Sequence, residues 1–481
     1  MKLKEAVRML GEGAREKAAE KFLSDMINRS PFKGKVFIAG GYVRDELMGI
    51  DPKDIDLVIE LPDGGIKFAE WATKKMGNYK KGSNPVVYKR FGTAKFNLAG
   101  TYKGFDLGDI EIESVMSRSE QYSKGSRKPK VQSGTLKQDV ERRDFTVNSL
   151  LKNLSTGEIV DLTGQGRADL KKGVIKTPLD PDVIFTEDPL RMLRAVRFTA
   201  KYGWQLPLFM IKAMKKNAAK INNISDERVR EELDKMITTK SPKQAIKILK
   251  VTGLLKYVMP ELQATVGVWQ NKHHDKDVFN HILDVVQGVP PELPRRLAAL
   301  FHDIGKPTVK KVIDNEARFF GHEDIGSEIA GEIMKRLKYP NAVIDRIKIL
   351  VANHMRLKQT GRKGEKATSK QLRKLKRVMG DHLEDLLHLM DSDNRAHGPS
   401  SSMPDQIKGI RGRLDKLSQD TPKDLSSLPI SGNDIKNSFK LKPGPIYKDL
   451  LNAVQDAIDE NPKLTKRQAL IIVRDKLRET K

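Results

Sequence analysis

The segment from Val36 to Glu60, VFIAGGYVRDELMGIDPKDIDLVIE, constrains the fold more than any other part of the chain. Val36 to Ala39 is a short apolar run that ends on glycine, the pattern of a buried strand. Gly40 and Gly41 follow, and without a Cβ they let the backbone approach a bound group closely. Tyr42 to Met48 has the pattern of a helix opening, so its free N–H groups lie beside the glycines and form an anion site. Asp54 and Asp56 then stand two apart on an extended stretch, where strand side chains point the same way. Neighbouring carboxylates repel unless a cation lies between them. A glycine pair alone is a common turn, and a D-x-D alone is commonly a solvated strand end. In order and with a strand on both sides, they indicate a divalent metal pair beside a phosphate-binding turn. That is the equipment for phosphoryl or nucleotidyl transfer.

Gly40, Gly41, Val43, Arg44, Asp45, Leu47, Gly49, Asp54 and Asp56 spell G-G-x-V-R-D-x-L-x-G…D-x-D, which resembles the head motif of the tRNA nucleotidyltransferase and poly(A) polymerase family. Arg142 to Asn148, RRDFTVN, is similar to the second family motif, RRDFTIN. Adjacent arginines suit triphosphate oxygens as forked donors. The resemblance implies nucleotide binding by Gly40, Gly41, Arg44, Asp45, Arg143, Asp144 and Asn148, with Gly41, Arg44 and Arg143 around the triphosphate. The strand GDIEIESV sets Glu111 and Glu113 on one face, and either would supply a third carboxylate to Asp54 and Asp56. The resemblance selects Glu113, which stands five residues before Arg118.

The spacing predicts a single helix over 187–198, EDPLRMLRAVRF. Leu190, Leu193, Ala195, Val196 and Phe198 form its buried side, and Arg191, Arg194 and Arg197 recur every three residues along one face with Asp188. Alone, this is an exposed basic face. In the family it reads the incoming base, so the resemblance has Asp188 and Arg191 offering an acceptor and donors to cytosine or adenine, with Arg194 nearer phosphate. The protein itself then serves as template.

All nine histidines fall between 273 and 397. His302-Asp303 follows the apolar run LAALF and precedes the break Ile304-Gly305-Lys306. This resembles an HD metal-dependent phosphohydrolase domain. The pattern H…HD…D falls on His281, His302, Asp303 and Asp393, with Asp391 as a rival for Asp393. His322 and His354 extend the set to two metals, which would activate a water against a phosphoester. His273 and His274 read as surface. Members of the family also carry this fold with a decayed site; here every expected ligand is present, which favours activity over a role as tRNA-docking body.

The partner follows from charge. The 481 residues hold 89 Lys and Arg against 63 Asp and Glu, a net +26, which suggests a polyanion. Residues 356–377 concentrate ten basic residues against one acid and read as a phosphate-tracking patch. There is no cysteine, which excludes disulfides, a thiol nucleophile and Cys-ligated zinc. The start, MKLKEAVRML, lacks the apolar core of a signal peptide, and no apolar run is long enough to span a membrane. A cytoplasmic enzyme with no membrane association is expected, and no protein partner is inferable.

The fold expected is α+β. It comprises a mixed-sheet, polymerase-beta-like nucleotidyltransferase head over 1–160, a helical neck with the base-reading helix over 161–265, an HD domain over 266–400, and a linker with helical tail over 401–481. The resemblance implies addition of the 3′-terminal CCA of tRNA from CTP and ATP, with Mg2+ at the head. A transition metal or Mg2+ would sit at the HD site. Addition of A alone, by a poly(A) polymerase, is the alternative within the family. An HD phosphohydrolase with a nucleotide-binding head is the alternative from another class. A non-catalytic RNA-binding protein leaves both metal constellations unexplained.

Overall fold

The computed structural model describes residues 13–76, 84–108, 110–121, 130–270, 276–398, 401–417, 428–442, 444–461 and 463–479. The chain forms two compact units. The first comprises residues 1–228 and 248–258, the second residues 229–247 and 259–481.

The first unit is built on a seven-stranded mixed sheet. Its strands are β1 (Val36–Ala39), β2 (Ile55–Ile59), β3 (Val86–Tyr88), β4 (Thr93–Asn97), β5 (Glu111–Met116), β6 (Leu151–Asn153) and β7 (Ile159–Val160), in the order β7-β6-β1-β2-β5-β4-β3. β2 and β5 pair in parallel and every other neighbour is antiparallel. A parallel pair needs a crossover, and the helix Gly64–Lys75 lies between these two strands in the chain. One face of the sheet packs Ile38, Leu57, Phe96 and Ile112 against Phe68 and Ala72 of that helix. On the other face Phe37, Ala39 and Val58 meet Leu136 and Val140 of the helix Leu136–Glu141. Thr135 and Gln138 close a reciprocal capping box at the start of that helix, which fixes the place of the arginines that follow it.

The expected helix over 187–198 is divided. One helix, Pro181–Glu187, ends at Asp188, and a second runs from Leu190 to Tyr202. Asp188 is extended, with φ −137 and ψ 96, because the ring of Pro189 disfavours helical backbone in the residue before it. Asp188 therefore stands in the break and not on the arginine helix.

Among its described residues the second unit is helical apart from one short hairpin, Lys311–Ile313 with Glu316–Arg318. Its described histidines sit on or at the ends of Val278–Gly288, Leu293–Phe301, His322–Arg336, Asn341–Asn353 and Leu383–Ala396. The tail has its own apolar core of Ile430, Ile435, Leu450, Val454, Ile458, Ala469 and Val473. Part of the basic run 356–377 is engaged by the tail. Lys370 pairs with Glu460, Lys374 with Asp456, and Arg377 with Asp456 and Asp459 of the tail helix Ile446–Glu460. Opposite charges on two facing helices neutralise one another more closely than a mobile polyanion could. No described helix is long and apolar enough to cross a membrane.

Arg377 Nη2 lies 2.9 Å from the fully buried carboxylate of Asp459. Removing one partner of such a pair strands a buried charge. Arg377→Ala is expected to cost about 3 kcal/mol in denaturant unfolding followed by a probe in the tail, whereas Lys374→Ala, at a more exposed pair, costs under about 1 kcal/mol.

Two candidate functional sites

The first site grows from strand register. Asp56 of β2 is paired with Glu113 of β5, and Lys95 of β4 is paired with the same Glu113. Asp54 sits one residue before β2 and is exposed. Asp56 opens onto solvent, yet loss of hydration at the floor of the site and then the Glu113 carboxylate push its carboxyl up to about 6, against the pull of Arg143 and Lys95. Lys95 Nζ lies 3.4 Å from Glu113 and 2.8 Å from Glu111. Glu113 is thus the acid that the register sets beside Asp56, and Glu111 pairs outward. A carboxylate that the fold raises towards neutrality, beside a second one, is a donor set that fits a hard divalent cation.

A cavity of about 400 Å3 adjoins this cluster, lined among others by Gly40, Gly41, Asp56, Arg143, Asp188 and Arg228. Gly40 has φ 71 and ψ −126, a conformation in which an L side chain is strained. Helix Gly41–Leu47 starts there, and a Cβ on Gly40 would stand 3.6 Å from Arg143 Nη1. Arg143 is held from behind by Asp139, which receives its Nε at 3.2 Å and Nη2 at 2.9 Å on one oxygen and Arg142 on the other. Asp139 is fully buried; burial alone would raise its carboxyl, and the two arginines hold it below the usual range.

The remaining motif residues hold one another. Arg44 donates to Asp45 at 2.8 Å and to Asn148 at 2.7 Å, and its guanidinium lies 5.2 Å from the ring centres of both Phe198 and Tyr202. Asn148 donates to Asp144, which also receives Arg194 through Nε at 2.8 Å and Nη2 at 2.6 Å. Burial would raise the Asp144 carboxyl, and Arg194 with Asn148 brings it below the usual range. Arg44, Asp144, Asn148, Arg191 and Arg194 line the cavity; Asp45 and Arg197 do not. Arg191, expected on an open basic face, is buried and donates to the Arg142 carbonyl at 2.6 Å. Arg197 lies over the Phe198 ring. The triplet rotates around the helix, so its three members meet three different surroundings.

The second site lies among the histidine helices. Two groups of buried side chains each bring three ligand atoms within 4.8 Å of one another: His281, His302 and Asp393 in one, Asp303, His322 and His354 in the other. The Nδ1 atoms of His302, His322 and His354 donate to the carbonyls of Ala299, Phe319 and Val351 at 2.8, 2.8 and 2.7 Å. A carbonyl only accepts, so each ring carries a proton on Nδ1 and directs Nε2 inward. Buried Nε2 atoms of His322 and His354 have no hydrogen-bond partner. Burial and His302 lower His354 to about 3, keeping it neutral. Imidazoles oriented through the far nitrogen, with interleaved carboxylates, fit divalent metal ions. Asp303 and Asp393 are held well below the usual carboxylate range: burial opposes this, and His302 with Lys306, or Lys358, outweighs it. Asp391 pairs with Arg395 instead and lies outside both groups. His273 and His274 lie outside the described residues.

Sequence reasoning missed Asp139, Arg228, Lys306 and Lys358. Asp139 had a signal, since an acid three and four residues before two arginines on a helix can hold both. Lys306, three residues after Asp303, lies 2.7 Å from it. Lys358 pairs with Asp393 from 35 residues away, and no local pattern shows that.

Because a proton and a cation compete for Asp56, the affinity of the first site for a divalent cation is expected to rise as pH climbs through about 6. Calorimetric titration on both sides of that pH checks this, with Asp56→Asn expected to remove the rise.

Residues 36–176 match the poly A polymerase head domain, residues 210–265 the probable RNA and SrmB-binding site of polymerase A, and residues 291–398 the HD domain. The CC-adding tRNA nucleotidyltransferase of Thermus thermophilus is 30% identical over 447 residues, covering 90% of this chain and 92% of that protein. The multifunctional CCA protein of Neisseria gonorrhoeae is 30% identical over 337 residues, 68% of this chain and 75% of that protein. In three dimensions the Bacillus stearothermophilus CCA-adding enzyme, solved with CTP, superimposes with a TM-score of 0.63 at 22% identity, covering 92% of this chain and 94% of that one. The head match falls on the sheet that sets Asp56 beside Glu113, and a relative at 30% identity spans nearly the whole chain, so the chain belongs to the tRNA nucleotidyltransferase family.

Proposed function

We propose that this chain adds CCA to the 3′ end of tRNA, using CTP and ATP without a nucleic-acid template. The observation that carries the reading is the Asp56–Glu113 register beside the Gly40 turn and Arg143. Asp54, Asp56 and Glu113 would hold Mg2+, which supplies charge stabilisation for the attacking hydroxyl and the departing pyrophosphate. Gly41, Arg44 and Arg143 receive the triphosphate, with Asp139 fixing Arg143. Asp188 and Arg191 face the base, and Asp144, Asn148 and Arg194 keep that wall in place. The tRNA 3′ oxygen forms a bond to the α-phosphorus, and the bond to pyrophosphate breaks. Similar solved structures support this assignment: CCA-adding enzymes with CTP, with ATP, and, from Thermotoga maritima, with tRNA. The reading places the enzyme in the cytoplasm with its tRNA.

A second activity is supported by the inward Nε2 atoms of the two histidine–aspartate groups. Asp303, His322 and Asp393 of these groups line a cavity of about 510 Å3 together with Lys306 and Lys358, which pair with the two aspartates and are cations suited to a phosphate. The proposed activity is phosphoester hydrolysis dependent on a transition metal or Mg2+.

Purified protein with Mg2+, CTP and ATP is expected to restore CCA on tRNA lacking it, read by sequencing the 3′ ends. Ends that stop at CC would align the activity with the Thermus relative, and A-tails alone with a poly(A) polymerase. Asp56→Ala is expected to reduce addition by more than about 100-fold, beyond what an outer-shell change does. His302→Ala is expected to leave addition intact and abolish hydrolysis of bis-p-nitrophenyl phosphate by the metal-loaded protein.

A further inference from the structure

We infer that Arg228 is a positioning residue for nucleotide selection, acting through the carboxylate of Asp188; the inference rests on the nucleotidyl-transfer reading. Asp188 stands in the break before Leu190–Tyr202 and both of its oxygens are used. Oδ1 accepts the Leu190 N–H at 3.2 Å, and Oδ2 accepts Arg228 Nη2 at 3.0 Å. The first bond belongs to the arginine helix and the second comes from the helix Asp226–Ile237, so two separate elements fix the plane of one carboxylate.

The other cavity-lining arginines at this wall are committed elsewhere. Arg191 serves the Arg142 carbonyl and Glu187, Arg194 grips Asp144, and Arg143 is held by Asp139. Among the described residues, Arg228 makes no other hydrogen bond or ion pair than the one to Asp188. Its side chain is 49% exposed and lines the nucleotide cavity, so packing does not account for its placement.

The chemistry of the bases gives this contact its consequence. Cytosine and adenine both present an amino donor beside a ring-nitrogen acceptor. Uracil and guanine present a carbonyl oxygen beside a ring N–H. A carboxylate oxygen fixed at the amino position accepts from the first pair and repels the second. If the carboxylate is free to turn, its other oxygen or a water can meet a carbonyl-bearing base, and the rejection weakens. Arg228 thus bears on which base is accepted more than on the transfer step itself.

The test compares CTP with UTP in single-turnover addition to tRNA lacking CCA, and in equilibrium binding of each nucleotide to the full chain. Arg228→Met is expected to lower the CTP-over-UTP preference about five- to tenfold, the range of one partly exposed charged contact. Arg228→Lys is expected to recover part of it. In an Asp188→Asn background Arg228→Met is expected to change the ratio by less than about twofold, because the residue it acts through is gone. A preference unchanged in Arg228→Met, or an equal further loss on top of Asp188→Asn, overturns the inference. Should Arg228→Met not fold, Arg228→Gln carries the same comparison, and an unchanged ratio there overturns it as well. If the unsubstituted protein adds no nucleotide, the proposed function fails; the binding ratio then still decides the role of Arg228.

Discussion

The repulsion between Asp56 and Glu113 is the constraint on which the first unit turns. Parallel pairing of the strands that carry them sets the two carboxylates side by side, and loss of hydration first, then the charge of Glu113, raises Asp56 to about 6. A fold stable on its own terms would separate them. Here the sheet keeps them together with apolar packing on both faces, Phe68 and Ile38 on one side and Leu136 and Val140 on the other. Burial of that apolar surface offsets the local electrostatic cost, and the site keeps its affinity for a cation.

Around that pair, the charged residues form a relay of supports. Asp139 holds Arg143, Asp45 and Asn148 hold Arg44, and Arg194 holds Asp144. Each fork binds a carboxylate or amide in a fixed plane, which restricts its rotamers before any nucleotide arrives. The cation that would meet a triphosphate therefore approaches with little left to order. The same logic governs the histidine cluster, where backbone carbonyls take Nδ1 and leave Nε2 directed inward. Gly305 permits that arrangement, since a Cβ there would come within 2.4 Å of the His322 carbonyl.

Much of this was legible from residues alone. The strand, glycine turn and D-x-D stretch fell where expected, and His281, His302, Asp303, His322, His354 and Asp393 came together as two groups. What local pattern misjudged was environment. Arg191, Arg194 and Arg197 share a spacing, yet one is buried, one grips Asp144 and one covers a ring. Lys370, Lys374 and Arg377 of the basic run meet acids of a helix that begins only at Ile446, far along the chain. Spacing reports which residues can share a face, and not what that face meets.

The sequence by itself determined the chemistry available: two acids two residues apart, glycines without a Cβ, paired arginines and a histidine set with no cysteine. These follow from residue type and short-range geometry, which are fixed within a few bonds. Only the tertiary structure decided which acid stands in register with Asp56, which of Asp391 and Asp393 joins the histidines, and that Arg228 meets Asp188 across 40 residues. Those choices depend on strand register and helix packing. Both are set by the burial of apolar surface over the whole unit, a sum that no short stretch contains.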